Sequence, residues 1–242
     1  MRLRRNNDII RISLLVLKLI DSSPVRDGPK IARQFPSSWH AKASTTTRRR
    51  HCREKERSNP RPSGIIAILI DEDDELIAAR LTDGNQQLFL MSKQGKCIRV
   101  DEQEIRSTGR ASRGVRGMDV GGSELVGMDI IGHDQSMLVV TAKGFGKRSG
   151  NSEYRLQGRG GKGVINLRIT ERNGEVVGFR QVTNEEQVIL ITDKGRLIRT
   201  NVAEVSMKGR VTQGVKLMDL LEDERVVDMT VVIESDEPDE EE

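Results

Sequence analysis

The chain has 242 residues, with 40 Lys and Arg against 37 Asp and Glu, a net charge of +3, and only one Trp, one Tyr and four Phe. That length allows one large domain or two small ones, and the shortage of aromatics leaves any core to Ile, Leu, Val and Met. Two distant cysteines, Cys52 and Cys97, exclude a disulfide scaffold or a four-ligand zinc site. The longest apolar run, Ile9 to Ile20, is broken by Arg11, Ser13 and Lys18 and falls short of the roughly 20 apolar residues a membrane span needs. It follows Arg2, Arg4 and Arg5, yet no small-x-small cleavage site comes after it. The expected compartment is therefore the cytoplasm, with no membrane partner.

The charge is unevenly placed. Residues 1–63 carry 16 Lys/Arg against 5 Asp/Glu, residues 64–233 carry 24 against 25, and residues 234–242 carry seven acids and no base. In residues 1–54, Pro24, Pro29, Pro36, the run Ser44-Thr45-Thr46-Thr47 and Arg48-Arg49-Arg50 interrupt any sustained period, which predicts a mostly disordered basic leader. Two other readings of that leader stand beside this one: an arm that binds phosphate without folding, and an incorrectly assigned gene start. The tail 234–242 reads as acidic and disordered, either simply solvated or competing with a polyanion for basic surface.

From Gly64 the texture changes. Gly64 to Ile70, Glu75 to Leu81, Gln87 to Ser92 and Gly95 to Val100 are short β-type runs separated by Gly, Asn and Asp turn signals, which predicts an antiparallel meander. The intervening Asp71-Glu72-Asp73-Asp74 reads as a solvated turn, since it lacks the glycine and the distal glutamate of a calcium loop. The four runs return as Gly114 to Val120, Leu125 to Ile131, Met137 to Thr141 and Gly146 to Ser149. They return again as Gly163 to Ile169, Val176 to Val182, Val188 to Thr192 and Gly195 to Thr200, and a fourth set begins at Gly214 and continues through Val226 to Val232. Turn glycines fall in each hairpin between runs three and four, at Gly95, Gly144 and Gly195, and Arg99, Arg148 and Arg199 follow each by four residues. Repeats of about 50 residues with four strands each have the size of propeller blades. The expected class is all-β: a propeller-like array of about three and a half four-stranded blades over 55–233, with units starting near Gly64, Gly114, Gly163 and Gly214.

One frame, Gly-Arg-x-x-x-Gly-Val, opens successive units as Gly109 to Val115, Gly158 to Val164 and Gly209 to Val215. The middle copy, Gln157-Gly158-Arg159-Gly160-Gly161-Lys162-Gly163, is the richest. Its glycines remove side chains so that a backbone can approach closely, and Arg159 and Lys162 set charge beside that bare backbone. Such a loop suits phosphodiester contact, which positions a duplex without reading its sequence. Repeat phase would carry Arg110, Arg113, Arg159, Lys162 and Arg210 to equivalent places on successive blades, a cationic track for a bent polyanion. The same phase adds Arg99, Lys147, Arg148 and Arg199 as rim candidates. The alternative is that the glycines turn corners between blades and the cations form an ordinary solvated rim. Gly158-x-Gly160-x-x-Gly163 matches the dinucleotide fingerprint in letters, but the run after it is β-type where a helix is required. A phosphate-binding P-loop needs Ser or Thr after its Gly-Lys; Gly163 stands there.

No catalytic constellation appears. His40, His51 and His133 have no suitably spaced partners, and Tyr154, the sole tyrosine, has no activating base nearby in sequence. No cofactor or metal is expected in the chain.

Residues from about 55 to 242 resemble the C-terminal domain of the A subunit of bacterial DNA gyrase. Gln157 to Gly163 is similar to the family's box, Gln-Arg-Arg-Gly-Gly-Lys-Gly, differing only at Gly158. Gly144-Phe145-Gly146-Lys147-Arg148, Thr170-Glu171-Arg172-Asn173-Gly174, Val176-Val177-Gly178, Thr192-Asp193-Lys194-Gly195 and the acidic end resemble that domain too. The resemblance implies a β-pinwheel that binds and wraps double-stranded DNA on its basic rim in a supercoiling topoisomerase, with the other A and B gyrase subunits as partners. It implies box contacts from Gln157, Arg159, Gly160, Gly161, Lys162 and Gly163, and leaves ATP and Mg2+ to other parts of the complete enzyme. The breakage-reunion domain and its tyrosine have no counterpart here, so the chain alone is expected to be non-catalytic. The box-like heptad sits in a late blade where the family has it in the first, and Gly158 removes one arginine. A topoisomerase IV A-subunit fragment, a propeller that binds proteins, and a non-functional gyrase fragment remain the alternatives.

Overall fold

The computed structural model describes residues 15–18, 66, 68–71, 74–108 and 112–232. The expected start at Gly64, Arg110, the acidic tail and all of the leader except 15–18 lie outside the described residues. Backbone pairing places a short strand, β1 (Leu15–Lys18), parallel to β2 (Ala79–Thr82).

The predicted hairpins form around their turn glycines. β3 (Gln87–Ser92) pairs with β4 (Lys96–Asp101), β6 (Ser136–Thr141) with β7 (Phe145–Gly150), and β10 (Gln187–Thr192) with β11 (Leu197–Asn201), all antiparallel. Gly95, Gly144 and Gly195 hold φ between +74° and +78° at the turns. Each hairpin is followed by a 3-10 turn, at Glu102–Glu104, Asn151–Glu153 and Val202–Glu204.

The sheets are assembled differently from a simple meander. The first has the order β5-β3-β4-β8, with β5 (Leu125–Ile130) drawn from the next unit and β8 (Val164–Ile165) from the one after. The second has the order β12-β7-β6-β9, taking β9 (Val176–Val182) and β12 (Val215–Lys216) by the same rule. The third, β11-β10-β13, takes β13 (Val226–Val232). Each neighbouring pair β3/β5, β6/β9 and β10/β13 carries a register shift at the same place, next to Ser92, Thr141 and Thr192. β9 lies against both β5 and β13, so these strands converge on one side, and β8 and β12 stand at the opposite, outer edge. The run Gly114 to Val120, predicted as a strand, forms none; Asp119 N–H instead donates to Gly161 O at 2.9 Å.

Exchange of strands leaves the middle strands of the first two sheets, β3 and β6, covered on both faces. Along β3, Leu88 and Leu90 enter one apolar cluster with Ile98, Val100, Met118 and Met128, while Phe89 and Met91 enter the next with Met137, Val139 and Phe179. Leu138 and Val140 of β6 belong to a third cluster, with Leu190 of β10 and Val226 and Met229 of β13. Two-sided burial explains the continuous apolar runs, since alternation is needed only where one face meets water. Each such side chain contributes roughly 1.5–3 kcal/mol. Three of the chain's six aromatics meet between the first two sheets: Phe89 packs edge-on against Tyr154, centroids 4.9 Å apart, and against Phe179 at 5.6 Å.

Candidate nucleic-acid interface

The loop Gln157–Gly163 leads straight into β8 and therefore hangs on the outer edge of the first sheet. It is pinned from both sides. Gln157 N–H donates to Arg99 O at 2.9 Å, Gly160 N–H to Gly117 O at 2.6 Å, and Arg159 N–H to a Glu104 carboxylate oxygen at 2.8 Å. Gly163 has φ +68°, and a Cβ there would stand 2.3 Å from Cys97 O. Only glycine lets the loop cross β4 at this point. The glycines are thus needed for backbone-on-backbone packing. Three of the loop's N–H groups, at Gln157, Arg159 and Gly160, are spent inside the protein and are not open to a phosphate.

The side chains are what the loop presents. Lys162 is exposed and makes no hydrogen bond or ion pair among the described residues. Arg159 is also exposed; its Nε donates to Glu104 O at 3.1 Å and its Nη1 to Arg116 O at 3.3 Å, which lays the guanidinium along the edge and orients it. The next unit repeats the arrangement on the second sheet. Lys208-Gly209-Arg210 precedes β12, Gly214 has φ +81° with Gly146 O at 2.8 Å from a would-be Cβ, and Glu153 lies under Gly209 as Glu104 lies under Gly158. Arg210 Nη1 donates to Ile165 O at 3.5 Å. Val211 holds φ +61° where Gly160 has +78°. That is a strained conformation for a β-branched residue, kept because the loop follows the same path. Three buried donors in and beside these loops, Arg116 Nε, Gln157 Nε2 and Arg210 Nε, have no partner among the described residues.

Other predicted rim cations are placed elsewhere. Lys147 is fully buried, its Nζ donating to Asn166 O at 2.7 Å and Gly209 O at 2.8 Å, and burial lowers its pKa to about 8. Arg148, 5% exposed, donates from Nε to Val205 O at 2.8 Å and from Nη1 to Asn184 Oδ1 at 2.5 Å. Burial also lowers its pKa. Half-buried Arg99 donates to Asn151 O at 2.8 Å, Tyr154 O at 3.0 Å and Gln87 Oε1 at 2.7 Å. These three tie the first two sheets to the 3-10 turn or loop of a later unit, so the expectation of rim positions fails for Lys147 and Arg148. Arg199 is exposed and donates from Nε to Gln187 Oε1. Arg113 is exposed and pairs with Asp71 at 2.7 Å.

Sequence reasoning passed over Glu104, which anchors Arg159, and Lys208, which stands in the repeat frame at the place of Gln157. The frame itself was the signal that could have found Lys208. Tyr154 is 1% exposed, donates its hydroxyl to Asn166 Oδ1 at 2.7 Å, and has its pKa raised by burial. The Cys97 thiol is pushed up to about 12 by burial. Neither is poised as a nucleophile. Among the described residues no group of three or more His, Cys, Asp or Glu could hold a metal ion, and no helix is long and apolar enough to cross a membrane.

Radially stacked sheets, sewn together by exchanged strands and bearing a repeated cationic loop on the outer edge, define a β-propeller of the pinwheel kind. The chain belongs to the family of the DNA gyrase C-terminal domain, beta-propeller, whose model matches residues 58–83, 86–131, 135–183 and 186–233. Three of those segments begin just before β3, β6 and β10, so the family's unit is the hairpin with the inner strand that follows it. The DNA gyrase A subunit of Pseudomonas aeruginosa is 46% identical over 73% of this chain and 19% of that protein; its counterpart in Salmonella typhimurium is 44% identical over 73% and 20%. The chain thus spans about a fifth of these relatives. Among solved structures, the C-terminal domain of DNA topoisomerase IV superposes with a TM-score of 0.69 at 28% identity, covering 74% of this chain and 56% of that one. A DNA gyrase A C-terminal domain superposes at 0.64 and 23% identity, covering 71% and 59%, a likeness of fold.

Proposed function

We propose that this chain binds duplex DNA along the outer edge of its sheets and bends it from blade to blade, as the DNA-wrapping part of a cytoplasmic gyrase assembly that includes the other subunits. In that assembly this chain holds and orients DNA, and strand cleavage and ATP hydrolysis belong to other parts. The observation that carries the reading is the recurrence of one cationic loop, Gln157–Gly163 and then 208–214, at the same outer-edge position of two consecutive sheets. Lys162 and Arg159 face solvent at the first, Lys208 at the second, with Arg210 half-buried beside it. Unpartnered donors at Arg116, Gln157 and Arg210 suit phosphate oxygens, because a buried donor left unpaired costs about 1–3 kcal/mol. Contacts of this kind position a backbone and tolerate any sequence.

The test is the salt dependence of duplex binding by the full chain. Replacing Arg159 and Lys162 by Ala should flatten the slope of log K against log salt by roughly 1.8, about 0.9 per lost phosphate contact. The basic residues of 1–63 contribute equally to both proteins, so the difference isolates the loop. As a control, Arg148→Ala removes two charge-assisted hydrogen bonds and should cost roughly 3 kcal/mol of stability while leaving the slope alone. An unchanged slope for the double variant would contradict the reading.

A further inference from the structure

Thirteen large apolar side chains are exposed among the described residues. Six lie before β3 and three on or beside the third sheet; the other four, Leu156, Ile165, Met207 and Val211, all lie in or next to the two outer-edge loops. A single exposed leucine is ordinary. Gathering them at the cationic edge is not, because a loop that touches only phosphate has no use for apolar surface. Two of the four recur in register. Leu156 bridges the outer edge of β4 at Arg99, Met207 bridges that of β7 at Arg148, and the two are 50% and 52% exposed. The next residue pins each one in place: Gln157 N–H donates to Arg99 O at 2.9 Å and Lys208 N–H to Arg148 O at 2.8 Å.

Val211 adds a separate observation. It holds a left-handed φ of +61°, which a β-branched residue adopts only under strain. Gly160 follows the same path in the first loop with no Cβ to clash. The Val211 side chain is 42% exposed, so packing inside the protein does little to offset the strain. A strained, exposed valine where glycine suffices is the mark of a residue that serves a contact outside the chain.

We infer, resting on the DNA-binding reading above, that Leu156, Met207 and Val211 pack on the deoxyribose edges of the bound duplex, between the phosphates held by the neighbouring cations. The partner is fixed by those neighbours: Arg159 and Lys162 are exposed beside Leu156, and Lys208 beside Met207. The sugar C–H edges lie between successive phosphates, so a side chain placed among phosphate-binding cations meets them. Every nucleotide carries the same sugar, and contact there is as tolerant of sequence as contact with phosphate. Unlike a phosphate contact it releases no counterion, so it adds affinity that salt does not remove. Leu156 and Met207 stand at equivalent places on consecutive sheets, and a duplex that follows the edge meets them in turn.

Duplex binding by the full chain, followed across a salt series, separates this contact from the ionic ones. Leu156→Gln combined with Met207→Gln should weaken binding roughly ten-fold, since about half of each side chain is left to bury. The slope of log K against log salt and the urea midpoint should stay as they are in the unaltered chain. The loss should persist on extrapolation to 1 M salt, where counterion release no longer contributes. Val211→Gly should weaken binding about two- to three-fold, again at unchanged slope, with the urea midpoint nearly constant because relief of the left-handed strain offsets the freer unfolded chain. Unaltered affinity of either variant overturns the inference; that is also the result expected if the edge seats a protein instead. A flattened slope overturns it too, since the loss would then lie in displaced cations. The Arg159→Ala, Lys162→Ala protein is measured alongside. If its slope flattens while the apolar variants bind like the unaltered chain, DNA binding stands and this inference falls; if the unaltered chain binds no duplex, both fall.

Discussion

Gly163→Ala tests how the outer-edge loop is held, with Gly195→Ala as its internal control. Both glycines sit at positive φ, +68° and +78°. An alanine at either therefore meets the same left-handed penalty of about 1–2 kcal/mol. Their surroundings differ. At Gly195 nothing lies within 4 Å of the new methyl, whereas at Gly163 it would meet Cys97 O at 2.3 Å and both the Cys97 carbonyl carbon and Met118 Cε at 2.9 Å. Relief requires β8 to lift from β4 by roughly an ångström, straining the pairing of Cys97 with Val164 and Lys96 with Ile165. Overpacking of that kind costs about 1–3 kcal/mol, for a total of roughly 2–5 kcal/mol at Gly163. Urea unfolding followed by far-UV circular dichroism measures both variants. At an m-value of about 2–3 kcal/mol/M, the midpoint of Gly163→Ala should fall below that of Gly195→Ala by roughly 0.5–1 M. Gly163→Ala should also weaken duplex binding although no charge is lost, because Arg159 and Lys162 ride on the displaced loop. Equal midpoints for the two variants would refute the close crossing.

Gly158→Arg should leave stability nearly unchanged, since a Cβ there meets only the Glu104 carboxylate at 3.7 Å, and should steepen the salt slope by about 0.9 through one added phosphate contact; a duplex-binding series at several salt concentrations checks both the sign and the size. The pKa of Lys147 falls from 10.5 to about 8 on burial, so above about pH 8 the unfolded chain binds the proton that the folded chain releases. This group therefore makes stability rise with pH between about 8 and 10.5, on the order of 3 kcal/mol in all. Lys147→Met should flatten that rise in urea melts across the window; an unaltered pH profile would show that the amine is not desolvated.

The hairpins were legible because their signals are local: a turn glycine between two β-type runs names both strands and their register. Partner choice was not legible. β8 and β12 are two residues long and lie two units away in sequence from the strands they complete, so a pattern of runs gives the strands and not the sheets. The same non-locality hid the fate of the cations. Lys147 and Arg148 look like rim charges until one sees that their donors reach Asn166, Gly209 and Val205, carbonyls of later units. One clue was available, because Lys147 holds the repeat position of Ile98 and Ile198, an apolar site in both other hairpins. The Gly-Arg-x-x-x-Gly-Val frame was read correctly as a repeated structure. Of the two close approaches that its glycines allowed, to another backbone or to a phosphate, the structure shows the first, at the crossings of β4 and β7.

If DNA follows the outer edge from one sheet to the next, duplex length should govern how tightly it binds. Binding of the full chain to duplexes of roughly 40 and 150 base pairs, across a salt series, compares a segment too short to bend around the edge with one near the persistence length. The longer duplex should bind more tightly than its extra overlapping sites explain, with a steeper salt slope, and that preference should be lost in the Arg159→Ala, Lys162→Ala protein. Equal affinity per site and equal slopes for the two lengths would contradict it.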